Sequence, residues 1–415
     1  MPARTALITG LFPHNTGLWG NSTDFYLPPD MMPLFADVRR QGYTTSQVGK
    51  LQWWASHRYR RDFDSLESYL KGLGIDHPDD LATPFSTRNR DGPYQQHLKK
   101  IGKHDEYCAD MLDRLTTGQF RPRPSVVNPE DHNDWFAADR RLEFLRRQPK
   151  DTPYFIVTSF PGLHTPPDAM GRYLARYNAQ RIHLAANVRR MKYDGHDYSL
   201  DDLRACRASY LGKMTMIDDC VGRIIAAVKA RGTWENTLVV FTSDHGDMMG
   251  AQGRFGKSVF WEESGRVPLL VRCPGQTNAG TKTNALVHLN DVHATVVDAV
   301  GGKPSKRHFS RSLMPVVRGD ASAFQSAAFG EIAHQSSLTS MVRDPRYKWF
   351  NYAGREYLYD LQEDSLEQRN LFGSPTHRDR MINLKELQRQ FITTTQVNLS
   401  ADYKSLVART REKEN

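Results

Sequence analysis

A carboxylate and an imidazole stand side by side at Asp244 and His245, directly after the apolar run 237–241 and within a stretch that continues through Gly246 and Asp247. Such a pair can ligate one metal ion; it can equally form a turn in which Asp244 caps the next element. Gly250, Gly253 and Gly256 then make a flexible loop that returns Lys257 toward the same place. A metal with an ammonium beside it would clamp an anion. His164 stands just past another strand-like run, 154–160, and Lys50 follows a third, 44–48, through Gly49. Taken singly, His164 reads as a hydrogen-bonded loop histidine and Lys50 as a solvated surface charge. Together they carry more weight, because ligands of open α/β sheets bind just beyond the carboxyl ends of the strands. All strand ends of a parallel sheet open on one edge, so the geometry would bring these groups together.

The elements that must hold them are legible in the apolar pattern. Positions 30–41 read as a helix closed by Gly42, and 135–147 as another. Leu211, Met214, Ile217, Val221, Ile224, Ile225 and Val228 recur at three- and four-residue spacing, one stripe on a long helix, with Gly232 placed as its left-handed cap. The continuous apolar runs 237–241 and 267–271 suit parallel strands covered on both faces, and 291–300 reads as a further helix. This alternation predicts an α/β fold with a mostly parallel central sheet sandwiched by helices. Short strands at 340–342, 347–350 and 357–359, then a helix at 379–392, predict a small C-terminal domain of antiparallel sheet and helix. The expected division is a large site-bearing domain over 1–304 and a small α+β domain over 305–415. The polar, basic, turn-rich stretch 59–129 assigns little.

A chain of 415 residues has room for two or three domains, and 39% hydrophobic with 25% charged residues is ordinary globular composition. The net charge of +9 suits either a nucleic-acid partner or a site that collects anions. With no long basic block and no zinc-knuckle or helix-turn-helix spacing, nucleic acid is not the expected partner. Cys108, Cys206, Cys220 and Cys273 lack metal-ligand spacing and read as buried reduced thiols. No apolar run approaches the roughly 18 residues that a membrane helix needs, so no membrane partner is expected. The first twenty positions read like the middle of a domain rather than a signal peptide, which leaves the compartment open.

At this point the residues resemble a known family. Met1, Pro2, Ala3, Arg4, Thr5, Ala6, Leu7, Ile8, Thr9 and Gly10 resemble the sulfatase signature. In that signature a cysteine is followed by any residue, proline, serine or alanine, arginine, and then a Leu-x-Thr-Gly segment. Leu27 to Asp30, Gly42-Tyr43 and Gly49-Lys50 are similar to the family's next segments. So are Ile217 to Asp219, the 237–246 block, Gly256-Lys257 and Arg266 to Pro268 to its later ones. Tyr347-Lys348, Leu358 to Leu361, Glu367 and Asn370-Leu371 resemble the family's C-terminal domain.

The resemblance implies an alkaline-phosphatase-like sheet and hydrolysis of a small anionic sulfate ester. It implies a signature cysteine oxidised to formylglycine by a formylglycine-generating enzyme; the hydrate attacks sulfur, expels the alcohol and then eliminates sulfate. It also implies one divalent metal, Ca2+ foremost, with Mn2+, Mg2+ or Zn2+ as alternatives because His245 stands where many relatives have asparagine. Asp244 and His245 would ligate the metal, and Arg4 would hold the nucleophile. Lys50 and Lys257 would contact nucleophile or sulfate, and His164 would bind sulfate or assist the leaving group. Gln52 departs from the family, which usually has histidine there; glutamine cannot shuttle a proton near neutral pH. The family's nucleophile would stand one residue before Met1, and its preceding strand would bring two more metal-ligating aspartates. The 415 residues alone are therefore expected to be inactive and to lack a central strand. The other readings are a phosphonate or phosphate ester hydrolase of the same superfamily, and a non-catalytic relative that binds sulfated ligands.

Overall fold

A computed structural model describes residues 1–21, 27, 31, 33–51, 65–81, 92–275, 278–303, 309–320, 324–334 and 337–396. Gln52, positions 28–30 of the 27–30 match and the expected boundary near 304 lie outside the described residues. Three strands form the parallel sheet. Thr44–Gly49 (β1) lies between His77–Asp80 (β2) and Tyr154–Ser159 (β3), with Gly49 opposite both Asp80 and Ser159. The three strands thus end level with one another. Gly49 makes that possible: its φ is 103°, and a Cβ there would lie 1.9 Å from the Ser159 carbonyl oxygen.

The pair Val239–Thr242 (β6) and Leu269–Arg272 (β7) corrects the expectation that both runs join the parallel sheet: they form their own antiparallel ribbon, Thr242 opposite Leu269. A parallel pairing needs a crossover that carries the chain back to the starting edge. The connection between these strands holds only the loop and a one-turn helix, Glu262–Gly265, so the chain re-enters at the edge it left. Phe155 and Val157 of β3 and Val240 and Leu269 of the ribbon pack on one hydrophobic cluster built around Ile8, Leu34, Phe35, Val38 and Val292. Among the described residues no ladder joins β3 to the ribbon, and the cross-strand partners Phe241 and Leu270 remain 43% and 58% exposed.

Helices cover these strands. Pro2–Thr9 (α1), Leu34–Arg40 (α2) and Asp291–Ala299 (α8) pack on the cluster just described; Asn133–Arg147 (α6) and Leu200–Ala230 (α7) pack together, with α6 against β1 and β3. Each fully buried Leu or Phe in that cluster contributes about 1.5–3 kcal/mol relative to exposure. Within α6, fully buried Arg141 donates to the Val157 carbonyl, the Ser46 hydroxyl and the Thr158 hydroxyl at 2.8–2.9 Å, tying helix to sheet. The stretch that assigned little holds β2 with Leu66–Gly72 (α3), Pro93–Lys100 (α4) and His104–Thr117 (α5).

On α7 the expected stripe is only partly the buried face. Ile217 and Val228 are buried, but Met214 is 44% exposed, and Gly212, Lys213 and Met216 face inward instead. The helix lies so close to the 160–170 loop that a Cβ on Gly212 would meet Ala169 at 2.9 Å, and Lys213 pairs with Asp168 there. These contacts, not hydropathy, set the helix rotation. Gly232 closes the helix at φ 74°.

A hairpin, Met191–Tyr193 (β4) and His196–Tyr198 (β5), precedes α7. Beyond 327, Ala328–His334 (β8), Ser337–Arg343 (β9), Tyr347–Tyr352 (β10) and Arg355–Asp360 (β11) form an antiparallel sheet in the order β11-β10-β9-β8, with the helix Arg378–Thr395 (α9) against it. The architecture is mixed α/β with a parallel sheet and a C-terminal antiparallel sheet and helix. No described helix is long and apolar enough to cross a membrane.

Candidate functional site

Arg4, Lys50, His164, Asp244, His245 and Lys257 come from four separate stretches of chain, and electrostatic coupling joins them into one group. Arg4 projects from α1 and ion-pairs with Asp244, just beyond the end of β6. Lys50 follows β1, its backbone N–H donating to the Ser159 carbonyl at 2.9 Å, and is 7% exposed. His164 stands beyond β3. Lys257 closes the loop that starts at Asp247, whose Oδ1 accepts from the Met249 and Gly256 amides at 3.0 Å.

The charges settle in a consistent way. Burial alone would push the Asp244 carboxyl up, but His245, Arg4, Lys50 and Lys257 outweigh it and hold the carboxyl well below the usual range. Burial, with Arg4 and Lys257 nearby, pushes Lys50 down to about 7. Lys257 is lowered chiefly by burial. His164 is pushed down to about 3 by burial and the two lysines, and His245 down to about 4, burial dominating. The Met1 α-amino group belongs to the same field: burial, then Arg4, pushes it down to about 4, with Lys50 and Lys257 acting the same way.

Both imidazoles are therefore neutral at pH 7, and their hydrogen bonds define the tautomer. His164 Nδ1 faces the Thr165 carbonyl at 3.1 Å and His245 Nδ1 the Gly246 carbonyl at 2.8 Å. A carbonyl only accepts, so each Nδ1 carries the proton and each Nε2 a lone pair. The His245 Nε2 lies 3.6 Å from Asp244 Oδ2. A lone-pair nitrogen beside an ionised carboxylate fits two places in the shell of a divalent ion. Among the described residues no group of three or more His, Cys, Asp or Glu side chains is placed to hold a metal, and three cations surround the single Asp244 carboxylate. The described side chains thus gather three basic groups, two imidazoles and a carboxylate at one place.

Sequence reasoning missed the residues that hold the His164 loop. Asp134 accepts from the Gly162 amide at 2.6 Å, and a Cβ on Gly162 would run into that carboxylate. His132 lies 3.3 Å from both Asp134 and Asp168, and Lys213 lies 2.7 Å from Asp168; all four are at most 1% exposed. No local motif signals such a network, because its members lie on two helices and a loop. Asp80, which couples to Arg4, was hidden in a strand containing Pro78.

A family model described as Sulfatase matches residues 1–302, and one described as N-sulphoglucosamine sulphohydrolase, C-terminal, matches residues 250–394. The chain is 26% identical over 378 residues to an arylsulfatase of Clostridium perfringens, covering 85% of this chain and 76% of that protein. It is 26% identical over 407 residues to a choline-sulfatase of Rhizobium meliloti, covering 90% and 73%. In three dimensions it resembles the phosphonate monoester hydrolase of Agrobacterium radiobacter, with a TM-score of 0.78, 23% identity, and coverage of 95% of this chain and 86% of that one.

Proposed function

This chain belongs to the sulfatase family of hydrolases, and on that premise we propose that its strand-end cluster binds and hydrolyses the sulfate group of a small sulfate ester. The observation that carries the reading is the meeting of Arg4, Lys50 and Lys257 around one carboxylate, with neutral His164 beside them. Arg4, Lys50 and Lys257 converge where Asp244 is the carboxylate common to all three, with Asp80 and Asp247 acting on Arg4 and Lys257 respectively. A tetrahedral oxyanion suits such a concentration of basic groups.

Lys50 and Lys257 neutralise the ester's sulfonyl oxygens, and Arg4 holds α1 and Asp244 together at the point where the nucleophile enters. An anion bound between Lys50 and Lys257 offsets the two charges that press on His164, so its Nε2 takes up a proton more readily and can assist the departing alcohol. Asp244 and His245 would hold the metal, calcium foremost, with further acidic ligands supplied by residues other than those described. Such an ion adds positive charge where sulfate oxygens gain negative charge.

The nucleophile we propose is a formylglycine at the position immediately before Met1, made from cysteine by a formylglycine-generating enzyme. Its support is the match of the Sulfatase family model to residues 1–302 and the ion pair that holds Arg4, on the first helix, against Asp244. Mass spectrometry of N-terminal peptides from the natural source tests this. A peptide extending upstream, with cysteine or formylglycine next to Met1, is the expected result; a protein that begins at Met1 contradicts it.

A further inference from the structure

The 247–262 loop that delivers Lys257 is bent into unfavourable backbone. Met249, Gln252 and Ser258 have φ of 44°, 51° and 69°, a left-handed region that side-chain-bearing residues rarely enter. Such conformations persist only where the surroundings over-determine them. Here the surroundings are the C-terminal sheet. Val259, Phe260 and Trp261, at the end of the loop, pack with Phe350, Tyr352 and Tyr359 of that sheet. Lys348 of β10, 1% exposed, donates to the Phe260 carbonyl at 2.8 Å and reaches Glu262 at 2.9 Å and Glu367 at 2.5 Å. Glu367, itself left-handed at φ 52°, accepts from the Glu262 amide at 2.7 Å. Gln252, at the loop's tip, donates to the Leu366 and Glu367 carbonyls at 3.0 Å. The far side of the same turn touches the site: a Cβ on Gly246 would lie 1.9 Å from the Glu263 carbonyl oxygen.

We propose that Lys348 and Glu367 are positioning residues for the hydrolytic site, holding the 247–262 loop in the conformation that places Lys257 beside Asp244. The C-terminal sheet is then a working part of the anion site. This rests on the reading of Lys257 as an anion clamp. A buried ammonium shared by two carboxylates and a loop carbonyl is demanding to maintain, and an apolar residue would pack more cheaply. What it supplies is a defined register between sheet and loop.

Calorimetric titration of sulfate into the 415-residue chain tests the proposal, with Lys348→Met, Glu367→Ala and each combined with Lys257→Met. Each clamp variant is expected to raise the sulfate Kd about tenfold, with no further loss in the Lys257→Met background, because both changes remove one contribution. The same variants should be cleaved by protease within the 247–262 loop faster than the parent. An unchanged Kd with an uncut loop overturns the proposal, as does an equal loss in both backgrounds, which marks general destabilisation. If Lys257→Met alone leaves sulfate binding intact, the anion-clamp reading fails. Faster loop cleavage in the Lys348 and Glu367 variants would then leave these residues as anchors of the loop with no role at the anion site, which overturns the proposal. Should the variants not fold, hydrogen exchange of the parent decides. Loop amides protected to the same degree as β10 support the clamp, and loop amides exchanging far faster than β10 contradict it.

Discussion

Arg4 and Asp244, 240 positions apart in sequence, are ion-paired where the first helix meets the end of β6. The pair fixes α1 over the strand ends, and its two halves are not equivalent. Asp244 faces His245, Arg4, Lys50 and Lys257, whereas the main partner of Arg4 is Asp244. Asp244→Asn strands three cations together and is expected to cost about 3–5 kcal/mol. Arg4→Met leaves Asp244 its other cations and should cost less. Urea unfolding of both variants checks the order; equal losses would mean that Asp244 does not hold the cluster together.

Gly49→Ala should be among the most damaging small substitutions. The added methyl would overlap the Ser159 carbonyl, and the backbone at φ 103° excludes a side chain. A loss of about 3 kcal/mol is expected, together with displacement of Lys50 and weaker sulfate binding. Thermal unfolding and sulfate titration would show it; a variant with parental stability would mean that β1 and β3 do not close at this point.

The buried quartet under the His164 loop predicts a pH dependence. Burial, the largest influence on His132, opposes its charge, but Asp168 and Asp134 outweigh it and raise its value above the ordinary 6.5. The folded state thus holds the proton more tightly than the unfolded chain. The stabilisation is complete below 6.5 and is lost as pH rises through the folded value. Between about pH 6 and about pH 9 the parent should lose more urea resistance than His132→Gln, in which this proton is absent. Parallel curves would remove His132 from the account.

Much of this molecule was legible from spacing. Lys50, His164 and Asp244 were readable because each follows a strand-like run; Lys50 and His164 lie past the level ends of β1 and β3, while Asp244 lies past β6 of the separate ribbon. What could not be read depended on contacts between distant segments. Met214 fits a helical stripe but is 44% exposed, while Lys213 is inside because Asp168 awaits it. The ribbon β6–β7 carries the composition of buried parallel strands, yet its direction follows from the connection and not from its residues. The strand His77–Asp80 carries a proline and two aspartates, tolerable at a sheet edge and silent to a hydrophobic pattern.

Sulfate-ester hydrolysis by this cluster can be checked by a single rate comparison. Protein from the natural source, its N-terminal residues read, is assayed with an aryl sulfate and with the matching aryl phosphonate ester. Sulfate release should exceed phosphonate cleavage and fall by about 100-fold or more in Lys257→Met, the loss typical of removing one transition-state charge contact. Preferential phosphonate cleavage would transfer the same cluster to the other ester. No hydrolysis of either ester by protein carrying formylglycine would contradict the account.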